Sequence, residues 1–416
     1  YEAKYVEIDG LRQGYVDEGP AEADPILLLH GQPSWSYLYR KMIPVLVDAG
    51  HRVIAMDHVG MGRSDKPIDI EYYSYLGHID RLEKFIGALN LDHITLFCQD
   101  WGSMIGLHVA GNHSEWFDRI VVGDGTLAVI PAWITPFPPV ENPDEINTEI
   151  VSPFADIPPQ QLPFYDEDCN LLSPGNQSLG FPNRMRYAMT GASFHPAEVL
   201  EALTYYDLPS DEEDAYDAPF PGRIYMAGAR VFPSLVNDIP GVNDDAWASL
   251  TRYEKPFLTI WATNDPLSPG PCEVQDQLTD NIPGAEGQHH TRLPEASHFL
   301  QDDQGAEIAR RLVEFIAAQC IDIDGDGYGY PATHDCEHPE LDCEGENPDA
   351  NPGMTEIPGN GIDDDCDPTT PAYPESANTI AASYGRSSLT GSGVFNSLAL
   401  LLIPVGWVVF LRRLSR

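Results

Sequence analysis

Short apolar runs at residues 26–29, 52–56, 94–98, 120–122 and 257–261 recur through the first three-quarters of the chain, separated by helix-length segments. Each run is too brief for a core-spanning helix and lacks the polar alternation of a half-solvated strand. The pattern therefore predicts the α/β class: a mostly parallel sheet, buried on both faces, with helices packed on each side. Residues 131–221 break it, being rich in Pro, Asp and Glu and free of strand-like runs. That stretch reads as a helical cap inserted over the carboxyl edge of the sheet, where ligands of α/β proteins bind. The core is then residues 1–130 together with 222–319.

With 416 residues, 42% of them hydrophobic, the chain can bury a large core and still carry an appendage. Sixty-five acids against 23 bases leave a formal net charge of −42, which excludes nucleic acid as a partner. Only five of the bases are lysines, and the acids are spread along the whole chain, the pattern of a solvation device for salty water. Cys98, Cys169 and Cys272 are scattered, whereas Cys320, Cys336, Cys343 and Cys366 crowd the last quarter. Crowding in an acidic, loop-like stretch predicts disulfides and an oxidising compartment.

Three features at strand ends carry chemistry. His30-Gly31-Gln32-Pro33 follows the first parallel run, and a glycine there lets the backbone turn an N–H toward a reacting group. The run at 94–97 leads through Cys98-Gln99-Asp100-Trp101-Gly102-Ser103 into a helical stretch, the small-x-nucleophile-x-small form of a turn that pushes its central side chain out above the sheet. Its central residue is Asp100, which could also serve as a helix N-cap. A carboxylate nucleophile forms an ester by displacement at carbon, chemistry suited to alkyl halides and epoxides. Near the end of the domain, Glu295-Ala296-Ser297-His298-Phe299 supplies a histidine able to activate water against that ester, provided a carboxylate orients its ring. Asp265, after the run at 257–261, is the first candidate for that acid, and Asp124, in Gly123-Asp124-Gly125, is the second.

Residues 30–46, 57–67, 99–103 (QDWGS), 215–221 (AYDAPFP) and 295–299 (EASHF) make residues 1–319 resemble a haloalkane dehalogenase of the α/β-hydrolase fold. The resemblance implies Asp100 as nucleophile, His298 as base and Asp265 as acid, with Asp124 at the position where another subfamily carries its acid. It implies that the Trp101 indole N–H binds the departing halide, that the backbone N–H groups of Gln32 and Trp101 form an oxyanion hole, and that no cofactor is needed. The expected substrates are a small haloalkane and water. One departure is plain: the subfamily with the Asp265-type acid usually supplies a second halide-binding Trp from the cap, yet no Trp lies between Trp133 and Trp247. The Gln32 side-chain amide and Trp133 are the candidates for that second donor. Epoxide hydrolases share the same nucleophile and base and need a pair of cap tyrosines, for which Tyr165, Tyr187, Tyr205, Tyr206 and Tyr216 are available.

Residues 320–367 hold almost no large apolar side chain and cannot build a hydrophobic core. Asp322, Asp324 and Asp326, with Gly327 sixth and Tyr328 seventh, match the first half of an EF-hand loop, although Thr333 stands where its twelfth-position Glu would be. Further oxygens are available from Asp335 or from Asp363, Asp364 and Asp365, so the expectation is structural calcium rather than zinc. The stretch resembles a calcium-type repeat of secreted bacterial proteins, which implies a Cys336–Cys366 pair. Residues 368–393 read as a linker. The charge-free apolar run 394–411, followed by Arg412, Arg413 and Arg416, reads as a transmembrane anchor within a bacterial sorting segment at 394–416. The expected placement is the cell envelope, facing outward, with a non-catalytic surface or adhesion protein as the competing class.

Overall fold

The computed structural model describes residues 1–134, 137–150, 152–153, 163–165, 171–174, 181–267 and 271–317, and, beyond these, 326–328, 338, 343, 347–357, 360–367 and 370. They belong to two units, one built from residues 1–285 and 289–315 and the other from the C-terminal part.

An eight-stranded sheet forms the first unit, in the order β1-β2-β4-β3-β5-β6-β9-β10. Strands β3 (Pro25–Leu29), β4 (Arg52–Met56), β5 (Ile94–Asp100), β6 (Phe117–Gly125), β9 (Phe257–Ala262) and β10 (Thr291–Leu293) run parallel. Every residue of β3 and β9 is buried, as expected for strands covered on both faces. The five apolar runs of the sequence all lie in these strands. Two further features lack that signal. At the sheet's edge, β1 (Lys4–Ile8) and β2 (Leu11–Glu18) form an antiparallel hairpin whose outer strand is mostly exposed, so its residues are mixed in character. Strand β10 is three residues long, too short for any period to register.

The helices are α1 (Ile43–Asp48), α2 (Tyr75–Leu89), α3 (Trp101–Asn112), α4 (Phe181–Thr190), α5 (Pro196–Glu201), α6 (Ser210–Asp217), α7 (Ala227–Val231), α8 (Asp244–Leu250), α9 (Pro271–Asn281) and α10 (Leu300–Ile316). Helix α3 is buried along nearly its whole length, which accounts for its apolar sequence on every face. It enters directly below the end of β3, where a Cβ on Gly102 would lie 2.1 Å from the Leu29 carbonyl oxygen. Glycine at 102 is therefore what lets the helix start close against the sheet. The inserted segment contains α4, α5 and α6, but also a small antiparallel pair, β7 (Pro163–Tyr165) with β8 (Leu171–Pro174), in a stretch that showed no strand-like run.

Among the described residues of the C-terminal unit the buried ones include Ala350, Asn351 and Asp364, held by polar contacts. Asp364 accepts from the Asn360 side chain and from the Ile357 N–H at 2.9 Å, while Asn351 donates to Asp326 at 2.8 Å. Cys366 is bonded to Cys343, with Cα atoms 5.5 Å apart. This corrects the Cys336–Cys366 pairing implied by the repeat: the turn at 363–366 brings the Asp363 carbonyl within 3.3 Å of the Cys343 sulfur. No helix among the described residues is long and apolar enough to cross a membrane. The run 394–411, its flanking arginines and the linker at 371–393 lie outside the described residues.

Candidate active site

Strand β5 ends in a turn that holds Asp100 at φ 50°, ψ −126°, a backbone state that a side-chain-bearing residue adopts only at a cost. Asp100 stands at the N-cap of α3 yet makes no side-chain cap bond, so its carboxylate is left for other partners. Ser103 secures the turn, accepting the Thr126 N–H at 2.8 Å and donating at the Asp100 carbonyl, 2.5 Å away.

Around that carboxylate the loop after β3 is closely fitted. The Gln32 N–H donates to Asp100 Oδ1 at 2.8 Å, and the Trp101 backbone N–H adds a second donor. A Cβ on Gly31 would stand 2.3 Å from the same Oδ1, so only glycine allows the loop this near. Buried His30 shapes the loop: its Nδ1 lies 2.8 Å from the Gly31 carbonyl and its Nε2 accepts the His58 N–H at 3.0 Å. Burial lowers the His30 pKa, consistent with a neutral ring that donates through Nδ1 and accepts through Nε2.

Asp100 Oδ2 faces His298 Nε2 at 3.4 Å, and His298 Nδ1 meets Asp265 Oδ2 at 3.0 Å. The other Asp265 oxygen accepts the Leu267 N–H at 2.7 Å, which fixes the plane of the carboxylate. Gln99 donates to the His298 carbonyl at 3.0 Å. Burial alone would depress the pKa of His298, but the Asp265 charge and the hydrogen bonds to both carboxylates outweigh it and raise the value to about 10. Burial likewise works against ionised Asp100, and there the contacts from His298, Trp101 and Gln32 prevail, lowering its pKa. The contact thus favours the charged forms of both His298 and Asp100.

Asp124 occupies the neighbouring strand end but turns elsewhere: its Oδ1 accepts the Ala262 N–H at 2.8 Å, and its Oδ2 has no partner among the described residues. Burial, reinforced by the charge on Asp265, pushes its pKa well up, toward the protonated acid. Of the two candidate acids, Asp265 is the one in contact with His298.

These groups line one cavity together with Trp101, Gln32, Phe181, Arg184, Tyr187 and Trp261. The Trp101 ring is buried and packs edge-on against Phe232, centroids 5.4 Å apart. Of the candidate second halide donors, Gln32 lines the cavity and gives one of its two amide N–H groups to the Ala229 carbonyl at 2.8 Å, while Trp133 is 82% exposed. Among the tyrosines, Tyr187 lines the cavity with its hydroxyl on the Ser193 carbonyl and Glu198. Tyr216 bonds Arg40 and Asp302 instead, Tyr205 and Tyr206 are exposed, and the Tyr165 side chain lies outside the described residues. No pair of phenols converges on the cavity among the described residues. Arg184 and Trp261 escaped sequence reasoning; the one signal for Arg184 is its spacing with Phe181 and Tyr187, which puts all three on one face of α4.

In the C-terminal unit, Asp322 and Asp324 lie outside the described residues. Asp326 accepts the Tyr328 N–H at 2.8 Å. A separate group, Glu356, Asp363 and Asp365, has possible ligand oxygens all within 4.8 Å of one another. Of these, Glu356 was not anticipated.

Residues 24–163 match the family model of the alpha/beta hydrolase fold. The chain is 39% identical over 311 residues to a haloalkane dehalogenase of Psychrobacter cryohalolentis, covering 74% of this chain and 88% of that protein. A haloalkane dehalogenase of Mycobacterium marinum is 39% identical over 325 residues, covering 76% and 94%. Among solved structures, the tetrameric haloalkane dehalogenase DpaA from Paraglaciecola agarilytica NO2 matches with a TM-score of 0.56 at 27% identity, over 75% of this chain and 91% of that one.

The two acids separate in a histidine NMR titration. Asp265→Asn is expected to lower the His298 pKa by roughly one unit or more, while Asp124→Asn, shaped like the protonated acid it replaces, moves it far less. The opposite ranking would give the acid's place to Asp124.

Proposed function

The chain belongs to the haloalkane dehalogenases and hydrolyses carbon–halogen bonds to alcohol and halide, and we propose that it does so through an ester on Asp100. Asp100 Oδ2 attacks the carbon bearing the halogen; the carbon–oxygen bond forms as the carbon–halogen bond breaks, and the halide leaves with the bonding pair toward the Trp101 indole N–H. The carboxyl oxygen that remains, Oδ1, already accepts the Gln32 N–H, and the Trp101 N–H also donates to the carboxylate; these are the donors needed when water adds to the ester carbon and its oxygen gains charge. His298 takes the proton from the attacking water, and Asp265 balances the imidazolium that results. The products are the alcohol, a halide ion and a proton, and the regenerated carboxylate.

One observation carries this reading: a strained aspartate whose two oxygens face, respectively, backbone donors and a histidine backed by a second aspartate. The same charges impose an order on the steps. Esterification neutralises Asp100 and withdraws its contributions to the His298 pKa, which then falls below about 10, so the base becomes available once there is an ester to hydrolyse. Room for water centres in the cavity amounts to about 80 Å³, the space of a few waters, which favours a short haloalkane.

The C-terminal unit supports a second, separate part of the proposal: a calcium-stabilised module on a protein that faces outward from the cell envelope and is held by the 394–416 segment. In its favour are a disulfide, which persists in oxidising compartments, and three carboxylates gathered within 4.8 Å, two of whose oxygens, Glu356 Oε1 and Asp363 Oδ1, are buried without a partner among the described residues. Glu356, Asp363 and Asp365 would hold the ion, which would offset their mutual repulsion.

Replacing Asp100 by Ala is expected to abolish halide release, and His298→Gln to leave the alkyl group on the Asp100 peptide, read by mass spectrometry. In the unsubstituted protein the alkylated fraction during turnover is expected to be larger at about pH 6 than at about pH 9, since the base must be neutral to act. An Asp100 peptide that stays unmodified throughout contradicts the ester. For the C-terminal unit, removing calcium with a chelator is expected to lower its unfolding temperature, and an unchanged transition contradicts the calcium assignment.

A further inference from the structure

Arg184 is the only Lys or Arg among the described residues that line the cavity, and the stability of the fold does not account for it. It is 7% exposed, and its Nε and Nη2 are buried with no hydrogen-bond partner among the described residues. The guanidinium lies 4.9 Å from the centroid of the Phe181 ring, a contact that orients it without using its N–H groups. Burial pulls its pKa down to about 10, opposed by the charges on Asp100 and Asp265, so it remains a cation near neutrality. A buried cation short of acceptors is costly, and an anion arriving in the cavity would relieve that cost.

We infer that Arg184 is the second donor to the leaving halide, placing a full positive charge where the carbon–halogen bond delivers its electron pair. The inference rests on the displacement reading above and adds to it a residue, of unexpected chemistry, that neither the motifs nor the family resemblance assigns. In the displacement, Asp100 Oδ2 bonds to carbon and the halide departs with both bonding electrons to the Trp101 indole N–H and the Arg184 N–H groups; no proton moves in that step. The other candidates are poorer. The Gln32 amide gives one of its two N–H groups to the Ala229 carbonyl and is a neutral donor, and Trp133 is exposed. The Trp261 indole Nε1 is also buried without a partner among the described residues, on the cavity wall, but it is a neutral donor, and charge-assisted hydrogen bonds are the stronger kind.

A cationic donor has consequences that a second indole would not. Product halide is held more tightly, so halide inhibits more strongly, and the poorer leaving group gains most, because more charge has developed on it at the transition state. The same planar fork suits a carboxylate, so an anionic group on the substrate is the other source of the chemistry that Arg184 recognises.

The test uses the full chain, with Arg184→Met as the charge-removing variant and Arg184→Gln as a second should the first fail to fold. Bromide binding is read from quenching of tryptophan fluorescence, and turnover from halide release with 1-chlorobutane and 1-bromobutane. We expect the bromide Kd to rise about tenfold or more, and kcat/KM to fall further for the chloride than for the bromide. Bromide affinity and turnover that match the unsubstituted protein overturn the inference, as does loss of bromide binding in Trp261→Phe but not at position 184. Butyrate separates the two sources: if the Arg184 variants lose inhibition by butyrate but keep bromide affinity, the residue reads a substrate carboxylate and the halide assignment fails. Absence of any halide release from the unsubstituted protein would sink the displacement reading instead, and the bromide titration would still report on Arg184.

Discussion

The turn at Asp100 is the constraint to which the other parts of the site are fitted. A positive φ on a residue with a side chain costs about 1–3 kcal/mol, and it persists only where the surroundings enforce it. Here they do so from every side. Gly102 admits the start of α3 beneath the end of β3, Ser103 ties the turn to Thr126, and Gly31 brings the loop after β3 against the carboxylate. In return, the carboxylate is presented above the sheet, one oxygen held by the Gln32 N–H and the other facing a histidine.

Electrostatics complete what the backbone begins. Two buried carboxylates flank one imidazole and hold its pKa near 10, while a third carboxyl, on Asp124, escapes the conflict by turning to the Ala262 N–H and shifting toward its neutral form. Three ionised acids side by side in a dry pocket would repel one another strongly; one protonated acid and one imidazolium relieve that. On the proposed route a base with a raised pKa can still serve, because consumption of the Asp100 charge in the first step would release His298 for the second. Arg184 adds a further positive charge on the cavity wall, in addition to the neutral Trp101 indole.

Much of this was legible in the residues because the sheet strands are continuous apolar runs and the elbow has a fixed local form. Edge strand β1 and its partner β2 were not, since their side chains are mixed in character, and neither was the pair of β7 and β8 in its Pro-rich setting. Asp265 follows β9, Asp124 lies at the end of the adjacent β6, and the two look alike in one dimension; only the side-chain directions show that the first meets His298 and the second the Ala262 N–H. Arg184 sits in a polar-looking helical stretch, Phe181–Thr190, whose sequence does not reveal which face turns to the cavity. The Cys343–Cys366 pair was hidden for a similar reason, because spacing does not fix connectivity among clustered cysteines.

The central claim is that the oxygen delivered to the alcohol comes first from Asp100 and only later from water. A single turnover in water labelled with heavy oxygen tests it directly, by mass analysis of the Asp100 peptide and of the alcohol. The account predicts that the label enters the Asp100 carboxylate, adding about 2 Da, and that the first alcohol released carries unlabelled oxygen. Label in that first alcohol, with an unlabelled Asp100, would mean that water attacks the substrate directly and that Asp100 is a base or an electrostatic partner rather than the nucleophile.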